Sequence, residues 1–267
     1  MITSVNQIMK LIQKLAPFET ADDWDNVGLI IGSGSHIVNR ILIALDLTET
    51  VLDEAVEEGY ELIITHHPPI FSAIKNITTE DRLGRLIIKA IQNDISVVSA
   101  HTNLDKSFNF GINHFIADAY GLEQLRILIP EGENVGHGVI GTFKTPMDFD
   151  AFINLTKKIF NIDLVKGSNF HKKRAIRSLA IASGAASDFI ENALTEKADI
   201  FLTSDLKYHE YQRVIGTDLA LLDIGHFESE RVYLEKFCDL LMQNAHAQNY
   251  DVVFQATETE MPLIKHL

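Results

Sequence analysis

Short, β-branched apolar runs alternate with helical patterns along the first half of the chain. Three of these runs predict buried strands, at Ile41–Leu45, Glu61–Thr65 and Ile95–Ala100. Between and after them, apolar residues recur every three or four positions, which is the spacing of helices that bury one face. The helix after the first strand should begin at Thr48 or Thr50 and end at Gly59, because threonine caps helix starts and glycine ends helices. This alternation indicates an α/β fold with mostly parallel strands.

The second half of the chain repeats the first at a shift of 138 residues. Ile41–His67 aligns without a gap with Leu179–Asp205, and apolar residues match at most strand and helix positions. After the third strand of each half comes a histidine followed four residues later by a carboxylate, in the segments 101–105 and 226–230. Chance similarity between two α/β segments is the alternative, but the shared motif favours a duplicated three-strand unit.

A polar stretch rich in glycine and proline, Pro130–Gly136, predicts the boundary between two domains. We therefore expect a first α/β domain at residues 1–129 and a second α/β domain at residues 130–244. The final segment, 245–267, contains a further strand pattern. Its return to the first half would make the first domain discontinuous.

Composition and charge narrow the range of partners. The net charge is −14, and an acidic surface repels phosphate backbones and anionic lipids, so we expect a small-molecule substrate and no strong nucleic-acid binding. The one basic cluster, at 171–174, is interpreted as a solvated loop. No apolar run reaches about eighteen residues, so no membrane span is expected. The single cysteine, Cys238, excludes an internal disulfide and fits a cytoplasmic protein.

Polar side chains with ligand chemistry follow the predicted strands at their carboxyl ends, where open α/β sheets bind ligands. His66 and His67 follow the second strand, and adjacent residues of an extended segment point in opposite directions, which suits two metal ions or one ion and a supporting contact. Imidazoles combined with carboxylates suit Zn, Fe, Mn or Co. The alternative is that these are ordinary loop residues and acids that complement helix dipoles.

The candidate ligands are numerous enough for two divalent metal ions. Together they supply three imidazoles and two carboxylates, from His66, His67, Asp105, His226 and Glu230. A bridging carboxylate can hold two ions about 3.5–4 Å apart, and such pairs activate water for hydrolysis. The sequence therefore predicts a two-metal site but does not fix the metal among Zn, Fe, Mn and similar ions.

These motifs together resemble the Nif-three-like family, whose members are commonly catalogued as GTP cyclohydrolase I type 2 homologues. The resemblance spans nearly the whole chain and rests on five segments: His66–Pro68, His101–Asp105, Gly225–Glu230, Asp23–Leu29 and Thr203–His209. In the last segment Ser204 stands where glycine is more common. The chain resembles the short form of the family, which lacks an inserted middle domain.

The resemblance implies two similar, interlocked α/β domains with a dinuclear metal site in the cleft between them, assembled as a ring-shaped homohexamer. It assigns the five candidate ligands to the metals, places His101 along the site as a ligand, a supporting residue or a proton shuttle, and makes His209 a proton carrier or a substrate contact. The implied function is a metal-dependent, cyclohydrolase-like hydrolase of a purine-like or cyclic amide small molecule. The alternative is a metal-binding or metal-delivery protein without turnover. Trp24, between two aspartates, is expected to pack a loop rather than to stack on a base.

Overall fold

Two β-sheets organise the chain into two α/β units, as described in a computed structural model of residues 2–170 and 175–264. The first unit comprises Met1–Leu104 and Leu234–Leu267, and the second comprises Asp105–Tyr233. The basic cluster at 171–174 lies outside the described residues. Within the described ranges, no helix is both long enough and apolar enough to cross a membrane.

The sheet of the first unit is mainly parallel. Its strands in chain order are β1 (Gly28–Ile31), β2 (Arg40–Ala44), β3 (Leu62–Thr65), β4 (Ser96–Ser99) and β11 (Val253–Ala256). In space the order is β1-β4-β3-β2-β11, and every neighbouring pair is parallel except β1 with β4. The C-terminal strand therefore extends the sheet formed by the N-terminal part of the chain.

The first unit also contains amphipathic helices that bury one face. They are α1 (Val5–Leu15), α2 (Glu49–Glu58), α3 (Arg82–Gln92) and α10 (Leu234–Ala247). The Thr48 hydroxyl accepts a hydrogen bond from the amide of Val51 at 3.1 Å, and Gly59 ends α2 with a left-handed φ of 72°. The predicted cap and stop of this helix are thus confirmed. The core beside it contains Leu52, Ile63 and other fully buried aliphatic residues.

The second unit has a mixed sheet with a parallel centre. Its strands are β5 (Leu122–Gly132), β6 (Val135–Met147), β7 (Lys166–Ser168), β8 (Ile176–Ile181), β9 (Ile200–Thr203) and β10 (Ala220–Asp223). The spatial order is β5-β6-β8-β9-β10-β7, in which only β8-β9 and β9-β10 are parallel. The polar stretch Pro130–Gly136, predicted as a domain boundary, forms the turn between β5 and β6. A hairpin turn and a linker favour the same glycine, proline and polar residues, so the sequence does not distinguish them.

Short helices connect and cover these strands. They are α5 (Ile112–Ala119), α6 (Phe149–Phe160), α7 (Ile190–Thr195), α8 (Tyr208–Gln212) and α9 (His226–Arg231), with α4 (Thr102–Asp105) where the chain passes from the first unit to the second. The core of the second unit is built around Phe201, Leu221 and their aliphatic neighbours. The α/β fold class predicted from the sequence is confirmed.

The two units share a parallel three-strand motif with the same register. Ile41 of β2 pairs with Leu62 of β3, and Leu179 of β8 pairs with Ile200 of β9, a shift of 138 residues at both positions. β4 and β10 then occupy the third position in their respective sheets. The repeat read from the sequence is therefore also a repeat of strand pairing, and both copies place polar loops at equivalent strand ends.

Candidate metal centre

Two adjacent histidines follow β3 at the carboxyl edge of the first sheet. The amide of His66 donates to the carbonyl of Ala44 at 3.0 Å, and the amide of His67 donates to that of Leu45 at 2.8 Å. These bonds continue the β2–β3 pairing by two residues. The histidine backbones are thus held by the sheet, before Pro68 and Pro69 end the extended run.

Three imidazoles cluster at this edge. The ring centroid of His66 lies 5.0 Å from those of His67 and of His101, and the remaining pair is 5.3 Å apart. One ring nitrogen from each of the three residues lies within 4.8 Å of the others, a grouping that could hold a metal ion. His66 is buried, whereas His67 and His101 are partly exposed.

Each of the three rings uses Nδ1 to contact a separate oxygen. Nδ1 of His66 donates to the carbonyl of Ala100 at 2.9 Å, that of His67 lies 3.1 Å from Oδ1 of Asp46, and that of His101 lies 3.0 Å from Oδ1 of Asp25. A neutral imidazole that donates from Nδ1 carries its lone pair on Nε2, which is the arrangement that supporting contacts impose on metal-binding histidines. The donor set therefore fits a transition-metal ion such as Zn, Fe or Mn.

Asp25 is the best-defined of these oxygen partners. Its side chain is fully buried, and its second oxygen accepts hydrogen bonds from the amide of Thr102 at 3.0 Å and from the hydroxyl at 2.6 Å. Burial raises the pKa of Asp25, but the hydrogen bonds from His101 and Thr102 and the charge attraction of His101 outweigh it and lower the pKa to about 2. Asp25 is therefore an ionised acceptor that orients His101.

The C-terminal segment fixes the oxygen partner of His67. The buried carboxylate of Glu260 accepts hydrogen bonds from the amides of Leu45 and Asp46, at 3.0 Å and 2.7 Å. These amides lie directly after β2, where the chain leaves the sheet. Glu260 thereby holds the backbone that presents the Asp46 carboxylate to His67.

The second unit presents a histidine and a carboxylate at the start of α9. Nδ1 of His226 lies 2.7 Å from Oδ2 of Asp205, and its Nε2 lies 3.3 Å from Oε1 of Glu230. Glu230 is buried and Asp205 is exposed. The predicted four-residue spacing of His226 and Glu230 thus brings the two side chains together, and Asp205 orients the imidazole.

Two further residues shape this part of the second unit. A Cβ on Gly184, whose φ is +66°, would lie 2.6 Å from Oε1 of Glu230 and 3.6 Å from Nε2 of His226. The buried Asp223 accepts hydrogen bonds from the amides of Leu206 and Gly225, at 3.3 Å and 3.1 Å. These amides flank the loops that carry Asp205 and His226.

The other two predicted site residues, Asp105 and His209, also belong to the second unit. Asp105 is the last residue of α4 and is partly buried. Burial raises the pKa of Tyr233, and the charge of Asp105 raises it further. His209 is exposed on α8, with Nδ1 3.0 Å from Oε1 of Gln212.

The contacts of Asp25, Asp46 and Glu260 with the site were not predicted from the sequence. Asp25 belongs to the motif at Asp23–Leu29, and Asp46 follows the end of β2. Both positions therefore gave a weak indication of a role at the site. Trp24 is 61% exposed, and its ring contacts those of Phe71 and His101. Its loop is also held by the polar contacts of Asp25.

The comparisons with known proteins agree with this architecture. A family model described as Duf34/NIF3 (NGG1p interacting factor 3) matches residues 3–261, and the chain therefore belongs to the DUF34/NIF3 family. It is 37% identical over 228 residues to a Clostridium perfringens protein named GTP cyclohydrolase 1 type 2 homolog, covering 85% of this chain and 86% of that protein. It is 31% identical over 261 residues to NIF3-like protein 1 of Drosophila melanogaster, covering 96% and 87%.

Solved structures show the same fold. A Staphylococcus aureus protein superposes with a TM-score of 0.92 at 27% identity, covering 100% of both chains. A Bacillus cereus protein related to NIF3 also has a TM-score of 0.92, at 23% identity, covering 100% of this chain and 99% of the other. The second likeness concerns the fold alone.

Proposed function

We propose that this protein binds two divalent metal ions and acts as a metal-dependent hydrolase on a purine-like or cyclic amide small molecule. The observation that carries the proposal is the cluster of His66, His67 and His101, in which each Nδ1 contacts a separate oxygen. Ordinary loop histidines have no need of three separate orienting partners. The names of the relatives and the family membership support the same chemistry.

The proposed metal ligands are the five residues predicted from the sequence, namely His66, His67, Asp105, His226 and Glu230. Divalent ions held by such ligands polarise a substrate and activate water. The oriented imidazoles of the first unit and the His226–Glu230 pair of the second each support part of this set.

Other residues of the chain would position groups and move protons. We assign His101 to the lining of the site, because Asp25 fixes its ring among the other two imidazoles. We assign His209 to proton transfer or substrate contact, because its imidazole is exposed on α8 and imidazoles exchange protons near neutral pH. A homohexamer in the cytoplasm, which the resemblance of the sequence motifs to the family implies, completes the proposal.

The test begins with the metal content of protein purified without a histidine tag. The protein is then loaded with Zn, Mn or Fe and incubated with GTP, other purine nucleotides and cyclic amides, while ring-opened product is followed by chromatography. The His66→Ala/His67→Ala double variant should lose both metal and turnover, and His246→Ala, an exposed histidine on α10, should lose neither.

The outcomes separate the two candidate functions. No product from any substrate by fully loaded protein contradicts the hydrolase. Ions that leave within minutes and activate an added apo-enzyme would instead favour metal delivery. Light scattering measures the mass of the assembly and tests the hexamer.

A further inference from the structure

We infer that Trp24 and Phe71 form a stacking surface for a planar heteroaromatic ring of the substrate, next to His101. This inference rests on the proposed function, because it places the stacking surface beside the proposed metal site. It adds that the substrate carries an aromatic ring rather than a saturated cyclic amide, and that Trp24 and Phe71 distinguish between the two.

The two aromatic rings are exposed and nearly parallel. Trp24 is 61% exposed and Phe71 is 51% exposed, although large aromatic side chains gain from burial. Their centroids are 6.4 Å apart with an interplanar angle of 22°. The two rings thus stack on each other, and each residue keeps about half or more of its surface open to solvent.

This surface adjoins the imidazole cluster. The rings of Trp24 and Phe71 both approach His101 edge-on, each with centroids 5.8 Å away. His101 in turn packs against His66 and His67. A molecule lying on the aromatic surface would therefore have a reactive edge close to the candidate metal ligands.

Polar contacts hold the two loops in place, so burial of the indole is not what orders them. Asp25 is bonded to His101 and Thr102, and the side-chain amide of Asn26 donates to the carbonyl of Ile70 at 2.7 Å. The residues next to Trp24 and Phe71 are thereby fixed on both loops. Such a preformed surface loses little freedom when a ligand binds.

The chemistry of the surface selects the ligand class. Flat aromatic faces bind purine-like rings by stacking, which is worth roughly 5- to 150-fold in affinity per base. A puckered, saturated ring has no π-face to stack. The buried carboxylate of Asp25 is already engaged by four donors, so it offers no competing recognition of cationic ligands.

The chain carries its own reporter, because Trp24 is its only tryptophan. We propose to titrate metal-loaded protein with guanosine and follow the indole fluorescence, using dihydrouracil and ribose as non-aromatic comparisons. Guanosine should quench the emission saturably, and the other two should not. Equal responses to guanosine and dihydrouracil would overturn the inference.

Substitutions separate stacking from a structural role. Phe71→Leu should weaken guanosine binding about tenfold with metal content unchanged. Phe110→Leu, at an exposed aromatic of the second unit, should leave it unchanged. By calorimetry, Trp24→Phe should bind guanosine within about threefold of the wild type, whereas Trp24→Leu should lose about tenfold.

The failures of the two proposals are distinguishable. Saturable guanosine binding without ring opening contradicts the proposed hydrolase activity but is consistent with the stacking surface. Turnover with a KM that Phe71→Leu and Trp24→Leu do not change contradicts the stacking surface alone. If these variants change the mass of the assembly and not guanosine binding, the surface is a contact between copies of the chain.

Discussion

Nδ1 of His101 lies 3.0 Å from Oδ1 of Asp25, a carboxylate with no exposed side-chain surface. A buried acid that accepts from an imidazole fixes both the tautomer and the ring orientation. His67 has a corresponding partner in Asp46. The candidate metal centre thus depends on acids that would not themselves bind the ion.

The first prediction concerns Asp25→Asn. The neutral side-chain amide of asparagine lacks the negative charge and the second acceptor oxygen with which Asp25 binds His101 and Thr102. His101 would be oriented less firmly, so we expect metal affinity to fall by about 10–100-fold. Competition with a chromogenic chelator measures the change. Asp23→Asn, an exposed acid two residues away, is the matched control and should bind metal like the wild type. Equal affinities for all three proteins would contradict the orienting role.

Glu260→Gln tests the link between the C-terminal segment and the metal centre. Glutamine has one acceptor oxygen where glutamate offers two, so the amides of Leu45 and Asp46 cannot both be satisfied. We expect a loss of about 1–3 kcal/mol in the free energy of unfolding and weaker metal binding. Glu258→Gln, at an exposed position, should change neither quantity. Urea unfolding and chelator competition provide the two readouts.

Gly184→Ala should damage the His226–Glu230 pair in the second unit. The added methyl carbon would lie 2.6 Å from Oε1 of Glu230, and this buried carboxylate has to move. Gly121→Ala imposes similar backbone strain, at a φ of +68°, with no atom within 4 Å of the new carbon. Both variants should lose about 1 kcal/mol of stability, but only Gly184→Ala should also lose metal affinity. Similar metal affinities for the two variants would refute the steric argument.

Asp223→Asn should destabilise the loops that carry Asp205 and His226. The carboxylate also lies 3.0 Å from Nζ of Lys166, and its charge adds to burial in raising the pKa of Tyr211. An asparagine would turn a donor toward an amide, so we expect a loss of about 1–3 kcal/mol in urea unfolding. Asp163→Asn, exposed in the same unit, serves as the control and should unfold like the wild type.

The parts of the fold that follow from local periodicity were predictable. The β2–α2–β3 segment has strong strand and helix patterns, a capping threonine and a terminal glycine, and the structure confirms each. The antiparallel edges of the second sheet were not predicted. Pairing of β5 with β6 depends on a turn whose glycines and proline equally suit a linker, so composition alone does not separate the two.

The histidines of the candidate site could be found because they follow strands directly. Their orienting acids could not, because they come from distant positions: Asp25 and His101 are separated by 76 positions in the sequence, and Glu260 and Asp46 by 214. Only the folded sheet brings these groups together. The exposure of Trp24 was missed for the same reason, since the contacts that fix its loop are made with Thr102 and Ile70.

The pairing of β11 with β2 sets an order of events during synthesis. The second unit is a continuous segment, and all of it has been made before the last strand of the first sheet leaves the ribosome. Glu260 emerges later still, so the amides of Leu45 and Asp46 can donate to its carboxylate only after the whole second unit has been made. The carboxylate that orients His67 therefore reaches its final position only after the second unit has been synthesised, because the first unit is discontinuous along the chain.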